Sequence, residues 1–197
     1  MTKQQILNSL AGKIVVGIDE VGRGSWAGPL VVGAVILNEY IEGLADSKIM
    51  AKAHRSEIAA FIRNRSLACS TGWVSPSEVD KLGLTKATSL AILRAIETIK
   101  VYDHLVIDGS INYLVGNPKS LNLVKADSLV PAVSAASILA KVARDEYMTE
   151  QALVYPNYGF ESHVGYGTVK HKKALVDYGI TPLHRKSYKP VKLLMGI

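Results

Sequence analysis

Residues 14–37 have the sequence IVVGIDEVGRGSWAGPLVVGAVIL, and this stretch decides the fold class. Two apolar runs rich in β-branched residues, at 14–18 and 30–37, flank a glycine-rich turn, and this arrangement predicts a pair of strands. The first run ends in two adjacent carboxylates, Asp19 and Glu20. The ends of strands are where α/β proteins commonly bind ligands, so this acidic end is a candidate site.

Strand and helix patterns alternate through the rest of the chain. Short apolar runs predict strands over residues 68–74, 104–107 and 121–124. Apolar spacing and capping signals predict helices over residues 51–65, from Pro76 to Gly83, and over residues 84–100, 131–151 and 167–178. The alternation predicts an α/β fold, a mixed sheet with helices on its faces. No repeat or linker divides the chain, so we expect one domain over residues 1–197.

Composition narrows the class of protein. The chain has one cysteine, Cys69, so no internal disulfide can form and a reducing compartment is expected. The longest apolar stretch, residues 26–37, is interrupted by glycine and proline and is too short to span a bilayer. The N-terminus lacks the apolar core of a signal peptide. These features predict a cytoplasmic protein that does not enter a membrane.

Positive charge is concentrated near the C-terminus. The net charge is +6, from 23 lysines and arginines against 17 acids, and residues 161–197 carry seven of those bases but only two of the acids. Five of the nine tyrosines lie in residues 155–188, interleaved with this basic charge. Such a segment suits stacking on sugars or bases beside phosphate contacts. On charge alone, a solvated basic face explains the pattern equally well.

Three of the strand-like runs end in carboxylates, namely VVGIDE, HLVID and LNLVKAD. If these strands are neighbours, Asp19, Glu20, Asp108 and Asp127 converge, and their mutual repulsion favours a bound divalent cation. Oxygen ligands select hard ions such as Mg²⁺ or Mn²⁺. Two such ions roughly 3.5–4 Å apart suit in-line phosphodiester hydrolysis. For a single acid, capping of a turn is the simpler explanation; for the three sites together, metal binding is favoured.

Other motifs are individually ambiguous. Gly22-Arg23-Gly24 either brings backbone groups against a sugar hydroxyl or phosphate, or forms a tight turn. The helix that begins at Pro131 carries Lys141 and Arg144, which could meet phosphate, although its small residues indicate close packing on the sheet. We interpret His163, His171 and His184 as hydrogen-bonded structural histidines, because their spacing matches no zinc pattern.

The order and combination of these motifs resemble those of the bacterial type 2 ribonuclease H family. The matching stretches are GIDEVGRGSWAGPLVVGAVIL at 17–37, DSK at 46–48, HLVIDG at 104–109, KADSLVPAVSAASILAKVARDEYM at 125–148, and YPNYGFESHVGYGTVKHKKAL with HRKSY within 155–188. The resemblance implies a ribonuclease H-like fold with a mixed five-stranded sheet, and a C-terminal helical appendage over about 155–197 that helps hold the duplex.

The resemblance also implies roles for residues. Asp19, Glu20, Asp108 and Asp127 correspond to the family's acids that bind Mg²⁺ or Mn²⁺. Gly22, Arg23 and Gly24 correspond to the motif that surrounds the ribonucleotide 2′-hydroxyl, and Tyr166 to the tyrosine that stacks on the next deoxyribose. Positions near phosphates are Ser47, Lys48 and Lys141. The implied substrates are RNA–DNA hybrids and duplex DNA containing ribonucleotides, cleaved by a monomer.

The chain departs from the family pattern at a few positions. Ala126 stands where the family usually has glycine, Trp26 is bulky for its loop, and Tyr188 replaces a common phenylalanine. The sister type 3 enzymes typically have lysine in place of Arg23 and an extra N-terminal domain; Arg23 and the short stretch before the first strand favour type 2. Two alternatives remain open: another nuclease or strand transferase on the same fold, and a non-catalytic nucleic-acid-binding module.

Overall fold

The computed structural model describes residues 2–44 and 51–196, in which five strands and eight α-helices are formed. The strands are β1 (Val15–Val21), β2 (Leu30–Leu37), β3 (Ser66–Val74), β4 (His104–Asp108) and β5 (Ser120–Leu123). The helices are α1 (Lys3–Ser9), α2 (Lys52–Arg65), α3 (Pro76–Leu82), α4 (Leu84–Ile96), α5 (Pro131–Val154), α6 (Phe160–His163), α7 (Val169–Tyr178) and α8 (Lys189–Met195).

The five strands form one mixed sheet in the order β3-β2-β1-β4-β5. Strands β1, β2 and β3 are antiparallel neighbours, whereas β4 is parallel to β1 and β5 is parallel to β4. This confirms the predicted α/β class. Strand β1 is longer than predicted and includes Asp19 and Glu20.

The predicted helices are all present, with ends that differ by a few residues. Helix α3 begins at the expected capping box, in which the Ser75 side chain accepts the Glu78 N–H and the Glu78 side chain accepts the Ser75 N–H. Helices α1, α6 and α8 were not predicted, since they have seven, four and seven residues and are too short to show a periodicity. Within the described ranges, no helix combines the length and apolarity needed to cross a membrane.

Glycines in the strands let helices lie directly against the sheet. A methyl group at Gly17 would be 2.0 Å from the Ala132 carbonyl carbon, and one at Gly33 would be 2.2 Å from the Ala136 carbonyl oxygen. Both of these contacts are to the backbone of α5. On the opposite face, Gly72 meets α4 in the same way, 1.9 Å from the Ala91 carbonyl oxygen. The sheet is therefore covered on both faces at backbone contact.

The apolar side chains divide by face, as strand alternation requires. Val16, Ile18, Leu105 and Ile107 pack toward α4, while Val106 packs toward α5. The end of α5 and the segment after it form a separate apolar cluster around Phe160 and Met148, which includes Ala27 from the loop between β1 and β2. This cluster joins that loop to the C-terminal helices.

Replacing Gly33 with alanine tests the backbone contact between α5 and β2. The added methyl would overlap a helix carbonyl that cannot move alone, so we expect the free energy of unfolding to fall by about 2 kcal/mol or more. Urea unfolding followed by circular dichroism measures this. Gly24→Ala is the control, because a methyl at Gly24 meets no atom within 4 Å. Equal midpoints for the two variants would contradict the prediction.

Candidate active site

The parallel pairing of β1 and β4 places two carboxylates side by side. Ile18 pairs with Ile107, so the next residues, Asp19 and Asp108, occupy the same level at the ends of adjacent strands. Alternation puts both side chains on the face covered by α5, the face to which Gly17 and Val106 also belong. The expectation that the acids at the ends of these two strands come together is met for this pair.

The environment of Asp19 penalises its charge. Exclusion of water by the surrounding protein, together with the charges of Glu20 and Asp108, raises the pKa of Asp19 to about 7. Hydrogen bonds from the Ser137 hydroxyl and from the Glu20 N–H, the latter at 2.8 Å, act in the opposite direction. A carboxyl group in this position is a strong candidate for binding a cation, which would remove the repulsion.

Glu20 points to the other face of the strand. Its Oε1 accepts a hydrogen bond from Arg23 Nη1 at 3.2 Å, and the Arg23 guanidinium lies over the Tyr113 ring at 5.6 Å from the centroid. Burial raises the pKa of Glu20, and the neighbouring Arg23 offsets part of that effect. Strand alternation therefore separates Glu20 from Asp19, although the two are adjacent in sequence.

Asp127 lies just beyond β5, in a 3₁₀ turn over Ala126–Ser128. The N–H of Ala126 donates to Asp108 Oδ1 at 2.7 Å, which ties the turn to the end of β4 and brings the backbone before Asp127 beside Asp108. Ala126 itself is fully buried in an apolar cluster. The unusual backbone conformation is carried by Lys125, with φ of 60°, so alanine at position 126 fits the turn.

Asp19, Glu20 and Asp108 lie near enough for their charges to interact, and the turn that carries Asp127 is bound to Asp108, but the four do not form a closed ligand set. Among residues 2–44 and 51–196, no three His, Cys, Asp or Glu side chains are grouped closely enough to hold an ion. The carboxylates instead accept donors from the protein, as described for Asp19, Glu20 and Asp108. An oxygen-only set of partly buried carboxylates with a raised Asp19 pKa still fits a hard divalent cation. Binding would require Glu20 to turn from Arg23.

The loop that joins β1 to β2, residues 22–29, is named here the recognition loop. Gly22 has φ of 89°, and a methyl group there would be 2.4 Å from Arg144 Nε, so its glycine is required by the protein's own packing. Gly24 differs, because a methyl group there would face open space. Gly24 is therefore the glycine of this motif at which a ligand can approach the backbone.

Trp26 anchors the recognition loop to the C-terminal segment. Its indole ring fills the space beside Gly167, where a methyl group would be 2.1 Å away, and lies 5.6 Å from the His171 ring. The N–H groups of Trp26 and Ala27 both donate to the Gly165 carbonyl, at 2.8 and 3.2 Å. The bulk of Trp26 is thus accommodated by a glycine, and it does not distort the loop.

Tyr166 follows directly, at the end of residues 163–166, named here the tyrosine turn. The residue is 37% exposed, and its ring centroid lies 5.6 Å from the guanidinium carbon of Arg144. The turn and the recognition loop meet through the Gly165 carbonyl, which accepts from the N–H groups of Trp26 and Ala27. Arg144 lies between the glycine motif and this tyrosine, because its side chain faces Gly22 and its guanidinium lies at the Tyr166 ring.

Comparison with known proteins identifies the family. A family model described as Ribonuclease HII matches residues 16–191. A ribonuclease HII of Dichelobacter nodosus (strain VCS1703A) is 43% identical over 185 residues, which cover 92% of this chain and 97% of that protein. One from Albidiferax ferrireducens (strain ATCC BAA-621 / DSM 15236 / T118) is 44% identical over 188 residues, which cover 94% and 90%. The chain belongs to the ribonuclease HII family.

Solved structures agree on the fold. A ribonuclease H2 from Pyrococcus horikoshii OT3 has a TM-score of 0.81 at 24% identity, covering 92% of this chain and 97% of that one. Bst-RNase HIII, in complex with Mn²⁺, has a TM-score of 0.76 at 19% identity, covering 100% of this chain and 73% of that one. The ribonuclease H-like fold implied by the sequence is confirmed.

Family membership establishes the general activity. The protein is a type 2 ribonuclease H, an endoribonuclease that acts on RNA–DNA hybrids and depends on divalent metal ions. The non-catalytic binding module is thereby excluded.

The expected phosphate-binding positions have different outcomes in this ribonuclease HII. Ser47 and Lys48 lie outside the described residues. Lys141 is in α5, where its Nζ pairs with Asp145 Oδ1 at 2.8 Å. Arg144 does not meet phosphate, contrary to the possibility raised by the sequence, because its side chain is fully buried and its guanidinium donates to backbone carbonyls.

The roles of Ser137 and Arg185 were not recognised from the sequence. Ser137 lies beside Asp19, and Lys141 follows one helical turn later on the same face of α5. This spacing of four residues was visible in the sequence, but Ser137 looked like one of many small packing residues. Arg185 belongs by sequence to the basic C-terminal segment, yet it is fully buried beneath the recognition loop.

The three C-terminal histidines are structural, as interpreted from the sequence, and two of them form a hydrogen-bonded relay. The Thr181 N–H donates to His184 Nδ1 at 2.9 Å, so the opposite nitrogen of His184 carries the proton and donates to His171 Nε2 at 3.0 Å. His171 Nδ1 then donates to the Tyr166 carbonyl at 2.9 Å. The relay supports the tyrosine turn with neutral imidazoles.

Acidification should weaken this relay. Burial, the largest cause, lowers the pKa values of His171 and His184 from 6.5 to about 4. Between those pH values the unfolded chain binds more protons, so the relay's contribution to stability is lost as the pH falls. The variant His184→Asn keeps an acceptor for the Thr181 N–H but has no titrating imidazole at this position. Between pH 6.5 and 4 we expect its free energy of unfolding to fall by about 2 kcal/mol less than that of the wild type.

Urea unfolding at several pH values measures the difference. Asp19 acts in the opposite sense, because its raised pKa favours the folded state at low pH, but it is common to both proteins and cancels. His54→Asn, at an exposed histidine paired with Glu57, is the control and should follow the wild type. Parallel pH profiles for the wild type and His184→Asn would contradict the prediction.

Proposed function

We propose that this ribonuclease HII cleaves on the 5′ side of single ribonucleotides in duplex DNA, as well as within RNA–DNA hybrids, leaving 3′-hydroxyl and 5′-phosphate ends. The observation that carries the proposal is the junction of the recognition loop with the tyrosine turn, directly after the strand that carries Asp19. This activity would remove misplaced ribonucleotides and RNA primers from cytoplasmic DNA.

The four acids divide by position. Asp19 and Asp108, side by side on one face, would hold one divalent cation, either Mg²⁺ or Mn²⁺. Asp127, and Glu20 once it has turned from Arg23, would contribute to holding the second. When bound, such ions supply an activated water and charge stabilisation at the departing 3′-oxygen. The Ser137 hydroxyl, hydrogen-bonded to Asp19, would keep that carboxylate oriented toward the scissile phosphate.

Recognition of the sugars would use the two neighbouring surface features. The open backbone at Gly24 would contact the ribose 2′-hydroxyl, the group that distinguishes RNA from DNA. The exposed Tyr166 ring would stack on the following deoxyribose. A ribose followed by a deoxyribose meets both contacts at once, whereas a duplex made only of DNA lacks the first.

The basic C-terminal segment would hold the duplex, but fewer of its lysines and arginines are available for phosphate contacts than its composition indicates. Lys170 and Lys173 are paired with Glu161 and Asp177, and Arg185 is buried. Apart from these two paired lysines, the exposed lysines of this segment are Lys172, Lys186, Lys189 and Lys192. These lysines would contact phosphates, and one monomer contains every residue invoked here.

Asp108→Asn tests the acidic site. Asparagine keeps an oxygen to accept the Ala126 N–H but removes a negative charge, so the fold should persist while cleavage falls about 100-fold or more. The assay uses duplex DNA with one embedded ribonucleotide and Mg²⁺ or Mn²⁺, with a chelator as the metal-free reference. Asp177→Asn, at an exposed acid paired with Lys173, should keep full activity. Near wild-type cleavage by Asp108→Asn would refute the assignment.

Gly24→Ala tests the backbone contact with the ribose. Because its methyl meets no protein atom within 4 Å, we expect an unchanged unfolding midpoint together with a KM for the ribonucleotide-containing duplex raised about tenfold. Gly22→Ala, in contrast, should lower the unfolding midpoint, since its methyl would overlap Arg144. Wild-type kinetics for Gly24→Ala would show that substrate does not approach the loop there.

A further inference from the structure

Two arginines, Arg144 and Arg185, are fully buried with no measurable exposure. Within residues 2–44 and 51–196, no ion pair to a carboxylate includes either of them. Burial lowers the pKa of the Arg144 guanidinium to about 10, so it remains charged at neutral pH. A buried cation without an anionic partner is unfavourable unless its N–H groups form hydrogen bonds with other acceptors. The acceptors of these two guanidinium groups therefore indicate what the arginines do.

Arg144 joins the recognition loop to the tyrosine turn. From α5, its Nε donates to the Pro29 carbonyl at 2.9 Å and its Nη2 to the Ala27 carbonyl at 3.1 Å, both in the recognition loop. Its Nη1 donates to the Val164 carbonyl at 2.9 Å, in the tyrosine turn. One guanidinium therefore spans both segments.

Arg185 holds the other end of the recognition loop. Its Nε and Nη2 both donate to the Gly28 carbonyl, at 3.1 and 2.9 Å, and its Nη1 donates to the Arg23 carbonyl at 3.0 Å. The Tyr188 hydroxyl accepts from Nη1 at 2.8 Å and donates to the same Arg23 carbonyl. The carbonyl adjacent to Gly24 is thus held by two donors.

The backbone around these contacts is shaped to admit them. Gly22 and Gly28 leave the space that the Arg144 side chain occupies, since a methyl at either would be within 3.1 Å of its guanidinium atoms. Val164 has φ of 43°, a left-handed conformation that is rare for a β-branched residue, and its carbonyl is the one that Arg144 binds. A strained residue persists only where its surroundings hold it, and here Arg144 does so.

We propose that Arg144 and Arg185 are positioning residues: Arg144 ties the recognition loop to the tyrosine turn, and Arg185 fixes the shape of that loop. Together they would set the spacing between the ribose contact at Gly24 and the stacking ring of Tyr166. The proposal rests on the function proposed above. By fixing that spacing, the two arginines would give the enzyme a preference for a ribose followed by a deoxyribose, because only such a junction makes the Gly24 and Tyr166 contacts at the same time.

Arginine is required for this geometry. A guanidinium presents donors in several directions of one plane, so Arg144 can bind carbonyls of two segments and Arg185 can bind two separate carbonyls of one loop. A lysine ammonium has one nitrogen and cannot reproduce these separated contacts. Lysine preserves the charge and most of the volume. Arg185→Lys and Arg144→Lys therefore separate the locking geometry from the electrostatic effect of the side chain.

The test compares two substrates for each enzyme: duplex DNA with one embedded ribonucleotide and a uniform RNA–DNA hybrid. Because a uniform hybrid has no ribose–deoxyribose junction, we expect Arg185→Lys to lower kcat/KM for the single ribonucleotide about tenfold more than for the hybrid. Controls are Arg94→Lys, at a partly exposed arginine that binds Glu78 and the Trp73 carbonyl away from the site, and Ile92→Val, a destabilised core variant. Both should keep the wild-type ratio of the two substrates.

A second measurement does not depend on cleavage. Hydrogen–deuterium exchange should accelerate in peptides covering residues 24–30 of Arg185→Lys, and in peptides covering residues 24–30 and 163–167 of Arg144→Lys. It should remain slow in the strands of the core of both variants. If the lysine variants do not fold, Tyr188→Phe removes one hydroxyl of the same network and should lower the substrate ratio in the same direction, by a smaller factor.

Equal losses on both substrates, or unchanged exchange in both segments, would overturn the positioning role and leave only a contribution to stability. An unchanged substrate ratio for Tyr188→Phe would overturn it where the lysine variants cannot be tested. A wild-type enzyme that does not cut the embedded ribonucleotide would instead refute the proposed function. A wild-type enzyme that cuts it, with lysine variants that keep its ratio, would refute this inference alone.

Discussion

Backbone contact between α5 and the strands β1 and β2 is the constraint on which the site depends. It exists because Gly17 and Gly33 have no side chain, so the helix axis is set by main-chain atoms and cannot shift with changes of side chain. Once the helix is placed, Ser137 lies at Asp19 and Arg144 lies about 10 Å further along, beneath the recognition loop. One helix thus connects the acidic site with the surface proposed to read the sugars.

Much of this arrangement could be predicted from the sequence. Periodicity identified the five strands and the longer helices, and the position of the acids after apolar runs pointed to Asp19 and Asp108, because parallel strands that end at the same level bring their last residues together. The resemblance to type 2 ribonucleases H implied the five-stranded mixed sheet and suggested the roles proposed for Gly24 and Tyr166. Periodicity and motif spacing could be used in this way because each depends only on residues close together in the sequence.

The remainder depended on contacts that no local pattern encodes. Arg185 is indistinguishable in sequence from the lysines around it, and only the fold shows that it is buried under Gly28. Trp26 looked too large for its loop until Gly167, from the far end of the chain, proved to leave space for it. Glu20 and Asp19 are adjacent in sequence, but the strand's alternation turns them to opposite faces, which a count of acids cannot reveal.

The contacts of Arg185 also bear on the order in which the protein folds. They join residues 157 and 162 positions apart, whereas the acids that would bind metal all precede helix α5. Contacts so distant in sequence require the closure of a long loop and form after local structure does. During synthesis, the residues of the acidic strands are therefore made before the residues that complete the contacts of the recognition loop. The recognition loop gains its two Arg185 contacts only after residue 185 has been made, close to the end of the chain.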